Sequence, residues 1–278
     1  FTVALILDMS YSTLFKIEEI QTAAIAFIDQ LKPNDRVTVI SFDEEIHVHC
    51  PATSDRKEIY RAIRQTKIST GTSLYETMDL AMNKTMRTIE GRKAIVLFSD
   101  GVDTTSRTSH DLENLRDAME IDVLIYPIRY DTFADVQALK NKPIVNKPDN
   151  TTMRTPPTVP TSGQKGGLPF PIPGPMIMTP SDKGTTVEEY AKAEEYLTQM
   201  ADRTGGRIFL ASNLGNLSDA FQKIASELRE FYSIGYYPTE DGKPGQTRRI
   251  KVKTDMEKVA VKTRNTYVVP KSKVAGQK

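Results

Sequence analysis

Strand-length apolar runs alternate along this chain with segments whose apolar residues recur at helical spacing, and this alternation restricts the fold more than any other feature. Residues 1–7 and 93–99 are short apolar runs, and each is followed directly by an aspartate, Asp8 or Asp100. Between residues 15 and 31 the apolar positions recur every three or four residues, which indicates an amphipathic helix. Such alternation predicts crossover connections between parallel strands, and therefore an α/β fold.

The same pattern predicts a doubly wound, mostly parallel sheet of six strands that is flanked by helices. Only residues 43–45 separate the second predicted strand from the third, which is typical of a hairpin and makes the third strand an antiparallel edge strand. A helix is also predicted from about residue 73 to residue 89. The predicted strands are residues 1–7, 37–42, 46–50, 93–99, 123–129 and 207–210.

The regular pattern stops near residue 131 and resumes near residue 185. The stretch between them is rich in proline and glycine, and it is far longer than an ordinary connection in a compact domain. The expected organisation is a main domain over residues 1–230 with an insertion at 131–185, a C-terminal β extension over 231–270, and a disordered tail at 271–278. The extension is predicted to be a small antiparallel unit with strands at 231–237, 248–253 and 259–263.

Charge and cysteine content exclude several classes of function. Lys and Arg number 37 against 36 Asp and Glu, so the chain shows no electrostatic footprint for nucleic acid. No apolar run in the sequence approaches the length needed to cross a bilayer. Cys50 is the only cysteine, which excludes an intrachain disulfide and a metal site built from several thiolates.

Oxygen-bearing side chains fall in three loops that the predicted sheet brings to one edge. Asp8, Ser10 and Ser12 follow the first strand. Thr72 precedes a predicted helix, and Asp100 follows the fourth strand. Because loops at the carboxyl ends of parallel strands meet on one face, these groups are predicted to converge. Two carboxylates and three hydroxyls form a hard, all-oxygen set that suits Mg²⁺ and tolerates Mn²⁺ or Ca²⁺.

The Asp-x-Ser-x-Ser run at residues 8–12, the Gly-Thr-x-Leu-Tyr element at 71–75 and the Asp-Gly turn at 100–101 resemble the metal-ion-dependent adhesion site of von Willebrand factor A domains. The resemblance implies that Ser10, Ser12 and Thr72 contact the metal. It implies that Asp8 and Asp100 act directly or through water, and that a partner's carboxylate completes the coordination.

The segments at 204–207 and 231–238 resemble a bacterial, exported subgroup of these domains. This second resemblance implies an extracytoplasmic location, with any signal peptide lying upstream of this fragment.

Other side chains near the three loops have weaker claims to the site. Tyr11 stands where many members of the family carry glycine or another small residue, so it would stiffen or partly shield the metal loop. Ser73 and Asp103 are further candidates for the ligand face, although Asp103 is equally well interpreted as an ordinary loop residue. His47, His49 and His110 are interpreted as solvated or packed side chains, in preference to metal ligands.

The leading hypothesis is a metal-dependent protein-binding module, not an enzyme, in which a divalent cation bridges to an Asp or Glu of a partner protein. One alternative is a structural module whose metal site is vestigial or only stabilises the loops. A metal-dependent hydrolase is the other alternative. The three loops offer no general base beyond the carboxylates assigned to the metal, which argues against hydrolysis.

Overall fold

A computed structural model describes residues 1–13, 16–140, 183–211, 214–230, 232, 234–240, 242–256 and 261–269. Six of its strands form one sheet: β1 (Thr2–Asp8), β2 (Arg36–Phe42), β3 (Ile46–Thr53), β4 (Lys93–Ser99), β5 (Leu124–Arg129) and β6 (Phe209–Leu210). Their order across the sheet is β3-β2-β1-β4-β5-β6. Only β2 and β3 pair antiparallel, so the predicted mostly parallel sheet with one antiparallel edge strand is confirmed.

The strand order places β1 beside both β2 and β4. From β1 the chain first builds one half of the sheet, through β2 and β3, and then crosses to the other side to build β4, β5 and β6. The order therefore reverses between β1 and β4. Loops at the carboxyl ends of strands part at such a reversal and leave a crevice there, where ligands bind in open α/β sheets.

Helices cover both faces of the sheet because successive side chains of a strand point to opposite faces. Val3, Leu5 and Leu7 pack into one core with α1, α2 and α7, whereas Ala4 and Ile6 pack into a second core with α3, α4 and α6. The helices are α1 (Ile17–Gln30), α2 (Arg56–Arg64), α3 (Leu74–Asp79), α4 (Asp111–Glu120), α5 (Phe133–Lys140), α6 (Val187–Thr204) and α7 (Leu214–Glu230).

The segment predicted as a helix over residues 73–89 is helical without a break, but its helix type changes twice. α3 is followed by a π-helical stretch, Leu80–Thr85, and by a 3-10 turn, Met86–Thr88. Within the π stretch the Asn83 amide donates to Asp79 Oδ1 at 2.8 Å and to Asp117 Oδ2 of α4 at 2.7 Å. These contacts tie the irregular stretch to the neighbouring helix.

The C-terminal region forms a small antiparallel sheet, as predicted, but only one of its two strands overlaps a predicted strand, at residues 248–249. Its strands are β7 (Thr247–Arg249) and β8 (Thr266–Val268). The described residues of the strand predicted at 231–237 form no strand, and residue Tyr232 is 82% exposed. Alternating apolar residues form a strand only where a neighbouring strand supplies hydrogen bonds, and the described chain supplies none here.

The insertion predicted at 131–185 begins with a helix that its composition did not indicate, since α5 occupies Phe133–Lys140. Residues 141–182 lie outside the described part of the chain, as does the tail at 271–278. None of the helices in the described ranges is long and apolar enough to cross a membrane.

Candidate metal centre

Asp8 joins the carboxyl ends of the two strands that flank the reversal. It is the last residue of β1, and none of its surface is exposed. Its Oδ1 accepts a hydrogen bond from the backbone N–H of Ser10 at 3.0 Å. Its Oδ2 accepts one from the hydroxyl of Ser99, the last residue of β4, at 2.7 Å. Both oxygens are thereby held in fixed positions at the crevice.

Ser10 and Ser12 continue this arrangement to Asp100. Their two hydroxyl oxygens lie 3.0 Å apart, and the Ser12 hydroxyl donates to Asp100 Oδ2 at 3.2 Å. A 3-10 turn, Tyr11–Thr13, presents both serines on the same side, and the Thr13 hydroxyl closes that turn by donating to the Ser10 carbonyl at 2.7 Å. Hydrogen bonds thus connect four of the predicted ligands in one cluster.

Thr72 is held against the loop that leads away from Asp100. Its carbonyl accepts from the backbone N–H groups of Thr104 at 2.9 Å and Thr105 at 3.2 Å, and its own N–H donates to Thr105 Oγ1 at 3.0 Å. The Thr72 hydroxyl has no hydrogen-bond partner among the described residues. The structure therefore anchors the backbone of Thr72 and leaves its side-chain oxygen without a bond to the other predicted ligands.

Burial dominates the electrostatics of the two carboxyl groups. Burial, together with the negative charge of Asp100, raises the pKa of Asp8 to about 7, while hydrogen bonds from Ser10 and Ser99 act in the opposite direction. Burial also raises the pKa of Asp100 above its ordinary value. The positive charge of Arg129 partly opposes this, but Arg129 is paired with Glu194 at 3.3 Å. Two buried carboxylates so placed favour the binding of a cation, which stabilises both ionised forms.

The donor set matches a hard divalent cation. Oxygen atoms of carboxylates and hydroxyls are the ligands that Mg²⁺ and Ca²⁺ prefer. Within the described ranges no group of three or more His, Cys, Asp or Glu side chains is placed to hold a metal ion. The candidate set contains only two carboxylates, Asp8 and Asp100, and its other oxygens are hydroxyls.

Comparison with known families identifies the fold that carries this arrangement. Residues 3–102, which include all five predicted ligands, match the family described as von Willebrand factor type A domain. The chain is thus similar to a von Willebrand factor type A domain over these residues. A comparison with curated proteins finds no match.

Several solved structures share the fold of this chain. A von Willebrand factor type A protein from Catenulispora acidiphila has a TM-score of 0.54 at 12% identity, and the match covers 82% of this chain and 42% of that one. The conserved hypothetical protein BatB from Bacteroides thetaiotaomicron has a TM-score of 0.52 at 18% identity, covering 83% and 99%. An aerotolerance-related membrane protein from Bacteroides fragilis has a TM-score of 0.51 at 17% identity, also covering 83% and 99%.

Tyr11, Ser73 and Asp103, the further candidates for the ligand face, differ in their surroundings. Tyr11 is 49% exposed beside the two serines. The Ser73 hydroxyl donates to the Glu44 carbonyl at 2.9 Å, so it braces the loop. Asp103 accepts from the backbone N–H of Tyr75 at 3.1 Å and from the Ser106 hydroxyl at 2.6 Å. These contacts favour the interpretation of Asp103 as a loop residue that caps α3.

The three histidines have contacts of their own. His47 Nε2 lies 3.3 Å from Asp43 Oδ2, and His49 Nε2 lies 2.7 Å from the Ser41 hydroxyl oxygen. His110 directly precedes the first residue of α4, and its side chain makes no capping hydrogen bond. These positions agree with the interpretation of the histidines as packed or solvated side chains.

Sequence reasoning missed three residues that contact the candidate ligands directly or through one neighbour. Ser99 holds Asp8, and its place beside Asp100 in the Ser-Asp-Gly string was an available signal. Thr132 donates to Asp100 Oδ2 at 2.6 Å, and its oxygen lies 2.8 Å from the hydroxyl of Tyr190. Thr132 follows β5 at the same edge of the sheet, but Tyr190 gives no sequence signal for the site because it lies in a distant helix.

The buried hydroxyl of Tyr130 is also close to the two carboxylates. The charges of Asp8 and Asp100 add to the effect of burial, which keeps the pKa of Tyr130 well above its ordinary value. This hydroxyl approaches the backbone of Asp100 but has no hydrogen-bond partner of acceptable geometry. This buried hydroxyl beside two carboxylates is therefore available for a hydrogen bond to a further polar group.

Proposed function

We propose that this chain is a metal-dependent protein-binding module whose cation lies on the loops of Asp8, Ser10, Ser12, Thr72 and Asp100. The observation that carries the proposal is the buried pair Asp8 and Asp100, joined through Ser10 and Ser12 by hydrogen bonds and raised in pKa by burial. An isolated buried carboxylate pair is unfavourable unless it is protonated or paired with a cation.

Hydroxyl oxygens would contact the cation directly in this proposal. The Ser12 hydroxyl donates its proton to Asp100, which leaves the lone pairs of its oxygen free for a metal. The Thr72 hydroxyl, which has no partner in the described chain, is available in the same way. Asp8 and Asp100 supply negative charge, directly or through water. The oxygen set favours Mg²⁺, with Mn²⁺ or Ca²⁺ as other occupants.

The bound cation would supply positive charge at an open coordination position, which attracts an anionic oxygen. We propose that this oxygen belongs to an Asp or Glu of a protein partner. Two carboxylates and neutral hydroxyls neutralise a divalent cation less fully than three or four carboxylates do, so a further carboxylate is favoured. Both acidic side chains of the site are engaged in holding its geometry, which favours a binding role over catalysis.

An extracytoplasmic, bacterial location fits this role. The structurally similar chain from Bacteroides fragilis is an aerotolerance-related membrane protein, and nearly all of its length matches the present chain. We propose that this domain likewise acts outside the cytoplasm, where Mg²⁺ and Ca²⁺ are both accessible.

The first test is the metal affinity of variants that keep the shape of each carboxylate. Asp8→Asn and Asp100→Asn are preferred to alanine, because Asp8 is fully buried and its loss would leave the Ser99 hydroxyl without an acceptor. Isothermal titration with Mg²⁺ and Mn²⁺ is expected to show binding by the wild type and at least about a 100-fold loss in both variants.

Asp103→Asn is the matched control, because this carboxylate lies in the adjoining loop and is bound to Tyr75 and Ser106. It is expected to keep wild-type metal affinity. Equal affinity in the wild type, Asp8→Asn and Asp100→Asn proteins would refute the assignment. A protein that is stabilised by Mg²⁺ but shows no Mg²⁺-dependent binding to peptides containing exposed Asp or Glu has a purely structural metal site.

A further inference from the structure

A chain of hydrogen bonds connects Asp100 to the first turn of α6. The Thr132 hydroxyl oxygen lies 2.6 Å from Asp100 Oδ2 and 2.8 Å from the Tyr190 hydroxyl oxygen. All three side chains are buried, with Thr132 completely so. An ionised carboxylate only accepts hydrogen bonds, so the single proton of Thr132 must point to Asp100. Tyr190 must then donate to Thr132, so both hydrogen bonds point toward Asp100.

Thr132 occupies the position at which a threonine usually caps the N-terminus of the following helix. It directly precedes α5, and its carbonyl accepts the backbone N–H of Val136 at 2.9 Å. A threonine at the start of a helix commonly turns its hydroxyl oxygen toward the first free amides of that helix. Here the recorded contacts of the hydroxyl are Asp100 and Tyr190 instead. The Thr132 side chain therefore binds a residue of the candidate metal centre and does not cap the helix.

The turn after β4 packs closely against α6. Gly101 has a φ of 84°, and a Cβ at that position would lie 2.7 Å from Leu197 Cδ1 and 3.1 Å from the Ala193 carbonyl oxygen. Tyr190 also packs edge-on against Phe133 of α5, with ring centroids 5.2 Å apart. A shift of α6 would therefore move both the Asp100 turn and the donor that fixes its carboxylate.

We propose that Thr132 and Tyr190 are positioning residues for metal binding, and that they hold Asp100 Oδ2 in the orientation that the cation requires. This inference rests on the proposed function, since it concerns the same site. Groups that donate hydrogen bonds to a metal-ligating carboxylate typically change metal affinity by 10- to 100-fold when they are removed. Tyr190 acts only through Thr132, so its contribution depends on the threonine hydroxyl.

The test compares metal affinity in the full chain by isothermal titration with Mg²⁺ and Mn²⁺. Thr132→Val removes the hydroxyl at nearly constant shape and is expected to weaken binding about 10- to 100-fold. Thr132→Ser keeps the donor and is expected to retain most of the affinity. Tyr190→Phe is expected to weaken binding by a smaller factor. The double variant should be no weaker than Thr132→Val alone, because the tyrosine acts through the threonine.

Gln137→Met is the matched control, since Gln137 joins α5 to the Thr185 carbonyl at 2.8 Å without reaching Asp100. It is expected to keep wild-type metal affinity. A purely structural role would lower the unfolding temperature of Thr132→Val equally with and without metal, and would leave its affinity unchanged well below that temperature. Affinity that is unchanged or higher in Thr132→Val, or losses that add in the double variant, would overturn the positioning role.

The two proposals fail in different ways. If the wild type binds Mg²⁺ or Mn²⁺ and Thr132→Val binds equally well, the metal site stands and the positioning role is wrong. If the wild type binds neither ion, the proposed function is wrong and the positioning role falls with it.

Discussion

The carboxylate of Glu76 anchors the loop that follows Asp100 by accepting hydrogen bonds from its backbone N–H groups. Glu76 of α3 accepts from the backbone of Arg107 at 2.8 Å and of Thr108 at 2.9 Å, and also from the Thr108 hydroxyl at 3.0 Å. An irregular loop lacks the backbone pairing of a helix or strand, so side chains must satisfy its amides. Glu76 thereby holds the end of the loop that follows Asp100 against α3.

The Glu76 contacts predict a pH-dependent contribution to stability. Hydrogen bonds from the Arg107 and Thr108 amides lower the pKa of Glu76 below its ordinary value of 4.5. A carboxyl group with a lower pKa in the folded state stabilises the fold fully above its unfolded pKa, and this stabilisation is lost as pH falls through the folded value. Glu76→Gln is expected to lower the free energy of unfolding by about 0.5–1 kcal/mol at neutral pH, a small effect because the residue is partly exposed to solvent.

Urea unfolding followed by circular dichroism measures this difference. The difference in free energy of unfolding between Glu76→Gln and wild type should become smaller as pH falls below about 4.5, because the wild-type carboxylate then becomes protonated. Glu90→Gln, which changes an exposed carboxylate beyond these contacts, should match the wild type at every pH. A difference in free energy of unfolding that stays constant with pH would show that the charge of Glu76 does not stabilise the loop.

The chain approaches the backbone of β5 closely just after the end of α6. α6 ends at Gly205, which has a φ of 82° in the left-handed region that glycine adopts most readily. A Cβ built on the next residue, Gly206, would overlap the carbonyl oxygen of Ile125 in β5. The Thr204 hydroxyl also accepts the backbone N–H of Ile125 at 3.0 Å. The end of the helix is thus pressed directly against the strand.

This approach predicts that Gly206 tolerates no side chain. Gly206→Ala is expected to lower the free energy of unfolding by at least about 3 kcal/mol, because backbone atoms on both sides cannot move aside as a flexible side chain does. Gly235→Ala is the control, since a Cβ there meets no atom of the described chain within 4 Å. It should change stability by less than about 0.5 kcal/mol. Equal midpoints for the two variants in chemical denaturation would contradict the close approach.

At the scale of the whole molecule, one arginine fastens the C-terminal unit to the main sheet's helices. Arg264 donates to the Ile121 carbonyl at 2.9 Å and to the Met119 carbonyl at 3.4 Å, at the end of α4. Its guanidinium also lies 3.7 Å from Asp122. We propose that residues 231–270 are a separate extension of the domain at 1–230, and that Arg264 is one of its main points of attachment.

This division predicts that the extension loosens independently. Arg264→Ala is expected to speed amide hydrogen exchange in β7 and β8 while the exchange of β1, β4 and β5 stays as slow as in wild type. Arg116→Ala is the control, because Arg116 lies on the exposed side of α4 and its recorded ion pair is with Asp117 of the same helix. Faster exchange throughout the sheet in Arg264→Ala would show that the extension and the main domain unfold as one unit.

The sequence by itself determined the class of fold and the set of candidate ligands, because both depend on local patterns. Apolar periodicity located every strand of the main sheet to within a few residues, and the largest differences are that β3 extends to Thr53 and that β6 is shortened to Phe209–Leu210. The Asp-x-Ser-x-Ser run lies within one loop, so its spacing alone brought Asp8, Ser10 and Ser12 together.

Only the tertiary structure decided which distant side chains support that site. Thr132 and Tyr190 lie 58 positions apart in the sequence, and hydroxyl groups occur on strands, helices and loops alike. Thr132 contacts Asp100, and Tyr190 reaches it through Thr132, because α5 and α6 pack around Val102 in the turn after β4. No periodicity of the sequence encodes this packing. For the same reason, β7 overlaps the strand predicted at 248–253 only at residues 248–249, and its partner β8 lies at Thr266–Val268 instead of 259–263. A strand forms where a partner lies and not only where its residues alternate.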